Sequence, residues 1–344
     1  MSKLFKRILK IVGTALVVLL VAFTIWFISG EGVKEPDHIT WGVSFFPQQA
    51  RDLGLDWKAA YLALLDDMGV RSFRLAAPWR EIESQQGQYD FSDIDWMLKE
   101  AEMRGATVNM TIGRKLFRWP ECHDPEWVYK IPNDQFDERV LGYVRASVEH
   151  LRSFSAIKAW QVENEPIFSF GECFGPKPTK ELFVKEVALV RSLDDRPIVT
   201  TDSGELSSWF DISSYVDELG VSLYRVTENP TFGRFYYPLR PGFYQKKAAL
   251  TKALHKNLDH IFLSELQLEP WTVGPLVHTP LSQQFGSMSL SRTQSTIDFA
   301  RKIGFDEIYL WGVEWWYWLK TQQADDRFWE LGKGLMQERP VVQF

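Results

Sequence analysis

Cysteine is nearly absent: two residues in 344 exclude a disulfide-built scaffold, and no pair has the ligand spacing of a thiolate zinc site. Basic runs are missing outside the first ten residues. With 39 Lys plus Arg against 45 Asp plus Glu, the net charge is −6, which disfavours a nucleic-acid partner. No long polar linker divides the chain. Nor does the first apolar run end in a Gly-rich phosphate turn, because Trp41-Gly42-Val43-Ser44-Phe45-Phe46-Pro47 lacks that fingerprint. What is present is a globular composition, 45% apolar and 24% charged, rich enough for a sizeable core. Aromatics are abundant, with 15 Trp, 24 Phe and 11 Tyr, and large flat side chains in such number suit a surface that stacks on sugar rings or other flat apolar ligands.

Residues Ile11 to Gly30 form a run of twenty without a charge. At 1.5 Å per residue, a helix of that length spans the ~30 Å hydrocarbon layer. Lys3, Lys6, Arg7 and Lys10 precede the run, and Glu31, Lys34, Glu35 and Asp37 follow it. The positive-inside rule then places the N-terminus in the cytoplasm and the rest of the chain outside. The expected organisation is a cytoplasmic tail (1–10), a transmembrane anchor (11–30), a linker (31–38) and a single domain (39–344). A cleaved signal peptide is the competing reading, although no A-x-A-like site follows the run.

Beyond the linker, an apolar β-like run precedes an amphipathic helical run every 30 to 45 residues. Eight strands are expected: Thr40 to Ser44, Ser72 to Ala76, Thr107 to Ile112, Ala156 to Val162, Pro197 to Thr201, Gly220 to Tyr224, His260 to Ser264 and Glu307 to Gly312. Helical signals lie between them, three ending at Gly69, Gly105 and Gly304. This alternation predicts an α/β fold, a (β/α)₈ TIM barrel preceded by one N-terminal transmembrane helix. A doubly wound open sheet is the alternative, and it predicts the phosphate turn that is missing.

Active sites of such barrels lie at the C-terminal ends of the strands. Two runs end in glutamate there, the fourth in Gln161-Val162-Glu163-Asn164-Glu165-Pro166 and the seventh in Ser264-Glu265-Leu266-Gln267. Strands four and seven stand on opposite sides of an eight-stranded ring, so their terminal carboxylates can face each other.

Here the sequence resembles the large clan of retaining glycoside hydrolases with a (β/α)₈ barrel and catalytic glutamates after strands four and seven, its cellulase, β-galactosidase and β-xylosidase-like members included. Asn164-Glu165-Pro166 is similar to the clan's Asn-Glu-Pro, whose Glu is the general acid/base and whose Asn holds the sugar 2-hydroxyl. Ser264-Glu265 resembles the seventh-strand nucleophile. Arg74 in Phe73-Arg74-Leu75 and Tyr224 resemble the second-strand Arg and sixth-strand Tyr that hold that nucleophile. The stretch Trp79-Arg80-Glu81-Ile82-Glu83 to Phe91 is like a second βα loop of the clan. One departure is clear: the third strand ends Ile112-Gly113-Arg114-Lys115, where many relatives carry a histidine.

The resemblance implies a double displacement. One carboxylic acid protonates the leaving oxygen while a carboxylate attacks the anomeric carbon, the two carboxyl groups standing about 5 to 5.5 Å apart, with no metal or organic cofactor. Arg74 and Tyr224 would keep Glu265 ionised, and an apolar surround beside an ionised partner would raise Glu165. Glu269 competes with Glu265 for the nucleophile's place. Glu163 is a candidate hydrogen-bond acceptor behind the pair. For substrate binding the candidates are Arg74, Asn164, Tyr224, Trp311, Trp315 and Trp119, with Trp79, Trp271, Asp202 and Arg114 as further contacts. Cys122 and Cys173 follow strands three and four, so an oxidising exterior would permit a disulfide with Cα atoms ~4.4 to 6.8 Å apart, or leave two thiols. The expected partners are a carbohydrate substrate and, through the N-terminal helix, the membrane. Two other functions compete with hydrolysis: a non-catalytic carbohydrate-binding protein on the same scaffold, and a transglycosidase.

Overall fold

The computed structural model describes residues 3–229, 231 and 233–338. Strands Thr40–Ser44 (β1), Ser72–Ala76 (β2), Thr107–Ile112 (β3), Ile157–Val162 (β4), Ile198–Asp202 (β5), Glu218–Leu223 (β6), His260–Gln267 (β7) and Glu307–Trp311 (β8) run parallel and close into one barrel. β8 pairs with both β7 and β1, which closes the ring and excludes the open doubly wound sheet. The expected strands are all there, and the largest change at an end is in β7. It continues three residues past Ser264, so Glu265 lies inside the strand, in register with Ser222 of β6.

Inside the barrel, Tyr309 packs with Ala159, Val199 and Phe262, and its hydroxyl meets Ser72 Oγ at 3.0 Å and Asn109 Nδ2 at 2.9 Å. Gly42 makes room for it, since a Cβ there would lie 2.7 Å from the Tyr309 ring. The helices outside the barrel start and stop where local chemistry dictates. Asp56, Thr179 and Ser289 cap three N-termini with side-chain oxygens, and left-handed Gly69, Gly105 and Gly304 follow three C-termini. Two features were not expected from the sequence. One is an antiparallel hairpin, Val226–Asn229 with Gly233–Tyr236, after β6; the other is a pair of helices, Val313–Gln322 and Arg327–Met336, after β8.

At the N-terminus, Lys3–Ile28 is one helix, and its Lys10–Ile28 stretch is long and apolar enough to cross a membrane while lying outside the packed core. The helix stops two residues short of Gly30 because the next residues dock on the barrel. Phe27 meets Phe243 edge-on at 5.5 Å, Lys246 Nζ donates to Ser29 O at 2.8 Å, and Gly242 N donates to Gly30 O at 3.0 Å. The outer ends of the expected tail and domain, residues 1–2 and 339–344, lie outside the described residues.

Candidate active site

The end of β4 is bent to deliver two carboxylates. Glu163 and Glu165 both have left-handed backbones, φ 62° and 47°, a conformation that L residues avoid at a cost of about 1 kcal/mol or more. The surroundings hold it in place. Glu163 takes the backbone N–H groups of Arg114 and Lys115 at 2.8 and 2.7 Å, as expected of an acceptor behind the pair. Gly113 must be glycine for this, because a Cβ would stand 2.5 Å from Glu163 Oε1. Glu165 N donates to Thr201 Oγ1 at 3.1 Å, and Lys115 Nζ donates to Glu165 O at 2.9 Å. Glu186, buried on helix Lys180–Leu193, hydrogen-bonds the Glu163 carboxylate. Burial and the Glu163 charge push it well above the usual carboxylate range, which favours its protonated form.

On the opposite side, Glu265 is clamped at both oxygens. Arg74, 0% exposed, gives Nη1 to Oε1 at 2.8 Å, and the Tyr224 hydroxyl gives its proton to Oε2 at 2.8 Å. Burial first, and the Glu265 charge second, push the Tyr224 phenol well above its ordinary value, so it remains a donor. Arg74 also donates from Nε to Gln161 Oε1 at 2.6 Å and from Nη2 to Asn164 Oδ1 at 2.7 Å. One guanidinium therefore ties the end of β7 to the end of β4.

Glu165 has a different setting. Its Oε1 accepts one hydrogen bond, from Ser222 Oγ at 3.1 Å. Burial, then the negative charges of Glu265 and Glu121, raise its carboxyl well above the ordinary range, and Lys115 opposes them. The surroundings thus favour the neutral form of Glu165. Glu121, which the sequence reading passed over, joins the group. Its Oε2 accepts from Asn164 Nδ2 at 3.2 Å, and burial pushes its carboxyl up to about 8.

Glu269, the rival to Glu265, stands elsewhere. It pairs with Arg118, which also reaches Glu314 at 3.0 Å, and Gln49 Nε2 lies 3.4 Å from its second oxygen. Arg118 in turn lies over the Trp311 ring at 3.9 Å, and Trp311 Nε1 donates to Phe117 O at 3.0 Å. Trp311 is part of a continuous aromatic wall. Its ring lies 5.6 Å from Tyr224, Tyr224 lies 5.7 Å from Trp271, and Trp271 lies 6.3 Å from Phe170. Phe170 then leads to Trp119, 6.0 Å away and 60% exposed.

Four expected contacts are corrected. Trp315 is 0% exposed and donates to Gln284 Oε1; the Trp-rich run after β8 is a helix, and the face carrying Trp315 and Trp316 turns into the core. Trp79 is also in the core, stacked on Tyr143 at 5.5 Å and donating to Glu83. Arg114 is consumed by Asp124 and Pro176 O, and so fixes loops. Asp202 accepts from Ser203 N and Trp209 N and holds the chain after β5. The remaining candidates, Glu165, Glu265, Arg74, Asn164, Tyr224, Trp311, Trp119 and Trp271, lie together in the network and wall described above. Cys122 and Cys173 are bonded, Cα atoms 5.1 Å apart, and join the loops after β3 and β4. Among the described residues no group of three acidic, His or Cys side chains is placed to hold a metal.

No family model and no curated protein sequence matches the chain. The fold is similar to solved structures. Xylanase 10B from Thermotoga maritima aligns at 14% identity and TM-score 0.55 over 80% of this chain and 83% of that one. The exo-β-1,4-mannosidase Op5Man5 from Opitutaceae bacterium strain TAV5 aligns at 15% and 0.51 over 82% and 54%. The β-galactosidase of psychrophilic Marinomonas ef1 aligns at 12% and 0.53 over 88% and 62%, so this chain spans less than two thirds of those two proteins. At such identities the likeness establishes architecture: the chain has the (β/α)₈ barrel found in these glycoside hydrolases.

Proposed function

We propose that this chain is a retaining glycoside hydrolase, held outside the cytoplasm by its N-terminal helix, that cleaves β-linked oligo- or polysaccharides. The reading rests on one contrast. Glu265 carries a cation on one oxygen and a phenol on the other, whereas burial favours the neutral form of Glu165, whose hydrogen-bond donor is a serine hydroxyl. Two carboxyl groups in environments this different are suited to two roles. Glu265 attacks the anomeric carbon and the glycosidic bond breaks as Glu165 gives its proton to the leaving oxygen. Glu165, then ionised, takes a proton from water as that water displaces Glu265. Asn164 would hold the hydroxyl beside the reacting carbon, and the aromatic wall from Trp311 to Trp119 would stack on neighbouring sugars.

Hydrolysis is favoured over simple sugar binding by the same contrast, since aromatics alone would bind a sugar and have no use for a clamped carboxylate beside a second carboxyl whose neutral form is favoured. A capturing sugar in place of water would make the same site a transglycosidase. The tether is supported by the apolar Lys10–Ile28 stretch and by Lys3, Lys6 and Arg7 before it. To test the reading, the full-length chain in detergent is screened against β-glucans, xylans, mannans and galactans for released reducing ends. Release that Glu265→Ala abolishes supports it, and binding without any release on the whole panel overturns it.

A further inference from the structure

Glu165 and Glu265 rise from β4 and β7, nearly opposite each other in the closed ring. A chain cut in its middle would therefore leave the pair on two flanks, one above β5 and β6 and the other above β8, β1, β2 and β3. The second flank is filled. Leu116 and Phe117, from the loop after β3, are buried against Phe46 just beyond β1 and Ala76 at the end of β2. The Phe117 ring lies 4.1 Å from the Arg74 guanidinium carbon and meets Phe46 edge-on at 5.6 Å. An apolar plug thus sits on the ends of β1 and β2.

The next residue locks the plug in place. Arg118 reaches from the β3 side to Glu269 after β7 and to Glu314 after β8, and all three side chains are buried. Glu314 Oε1 also accepts Phe46 N at 2.8 Å, Trp311 Nε1 donates to Phe117 O at 3.0 Å, and His123 Nε2 donates to Arg118 O at 3.1 Å. Swinging this loop aside would strand buried charges, so the plug is a fixed wall. The other flank is bounded by rings instead. Tyr224, Trp271 and Phe170 touch in turn, and Phe170 and Trp119 stand exposed at the rim.

We infer that Phe117 and Arg118 are specificity-determining residues that close the site at one end, so that the enzyme takes a glycan by its end and does not cut within the chain. The inference rests on the glycosidase reading and deepens it. An internal segment would have to continue past the pair over β1 and β2, where Phe46, Leu116 and Phe117 already fill the space. Packed interiors do not accept an added ring without displacing what is there. A terminal sugar needs no such passage. It can sit between the carboxyls with its free end against the plug while the rest of the chain leaves over the exposed aromatics.

The test uses full-length enzyme in detergent and β-linked gluco-, xylo-, manno- and galacto-hexasaccharides labelled at the reducing end. On the series cleaved best, the earliest wild-type products should be one pair of fragments of fixed size, cut from one end, with shorter chains following in order. The matching polysaccharide should keep its viscosity while reducing ends accumulate. Phe117→Ala, which takes the ring off the filled flank, should raise the share of mid-chain cuts about 10-fold or more. The wild-type pattern decides even where that variant fails to fold. Mid-chain fragments among the earliest wild-type products, or a folded Phe117→Ala enzyme with the wild-type pattern, would overturn the inference while leaving the hydrolase in place. No cleavage of any of the four series or their polysaccharides would remove it together with the reading on which it rests.

Discussion

Arg74 and Glu265 form an ion pair with Nη1 and Oε1 2.8 Å apart, and both side chains are buried in the barrel mouth. Removing one partner of such a pair leaves the other charge unpaired, at a cost of about 3–5 kcal/mol. Arg74→Ala should therefore lower the midpoint of thermal unfolding and reduce turnover, whereas Glu265→Gln should abolish turnover and keep a hydrogen-bond acceptor for Tyr224. Melting curves alongside rates separate the two effects. An Arg74→Ala protein as stable and active as wild type would refute the clamp.

Glu165 is expected to matter in proportion to how much the leaving group needs a proton. Glu165→Ala should cut natural-substrate turnover by about 10²–10⁴ while sparing aryl glycosides with good leaving groups in the first step. Added azide should then restore rate on those substrates, because it replaces the water that Glu165 would have activated. Equal losses on good and poor leaving groups would assign Glu165 another task.

Buried acids also set the pH dependence. Burial raises Glu165 and Glu186 well above the usual carboxylate range and Glu121 to about 8, so the folded protein binds more protons than the unfolded chain above about pH 4.5. The sign follows directly: their stabilising contribution is complete below that pH and is lost as pH rises through the folded values. Unfolding midpoints should fall from pH 5 towards pH 9, and Glu186→Gln, which cannot ionise, should flatten the fall. The same deprotonation of Glu165 should close the alkaline side of the rate profile. A midpoint that climbs over this range would contradict the assignment.

The Cys122–Cys173 disulfide closes a 51-residue separation, which in the chain-entropy model stabilises the fold by about 4 kcal/mol. It also fixes the loop that presents Trp119 and Glu121. Cys122→Ser with Cys173→Ser should lower the unfolding midpoint and raise KM more than it lowers kcat. An unchanged KM would show that the loop needs no tie.

Topology is testable without a substrate. Protease added outside intact cells should digest the domain after Gly30, and the chain should sediment with membranes. A soluble mature form beginning near Glu31 would replace the anchor with a signal peptide.

Much of this architecture was legible in the sequence because strand-forming runs, N-caps and terminal glycines are local signals. Glu165, just after β4, and Glu265, near the end of β7, could be read for the same reason, since each abuts an apolar run. What escaped is non-local. Glu121 stands in a loop motif, Trp119-Pro120-Glu121-Cys122-His123, which draws attention to its cysteine, and only the bend at the end of β4 brings Asn164 to it. Trp315 was misplaced because an aromatic run after a strand looks the same whether it lines a mouth or begins a helix; the 3.6-residue period that turns Trp315 and Trp316 inward becomes decisive once Val313–Gln322 is known to be helical. Glu269 and Glu265 differ in position along the chain and in partner, Arg118 for one and Arg74 for the other.

If Glu265 attacks the sugar, the anomeric configuration of the first-formed product records it. Proton NMR of early hydrolysis of a β-glycoside should reveal the β-anomer first, with the α-anomer growing only by mutarotation. That outcome matches two carboxyls about 5 to 5.5 Å apart and a covalent intermediate on Glu265. Initial release of the α-anomer would mean that water, not Glu265, attacks the sugar, and would contradict the account.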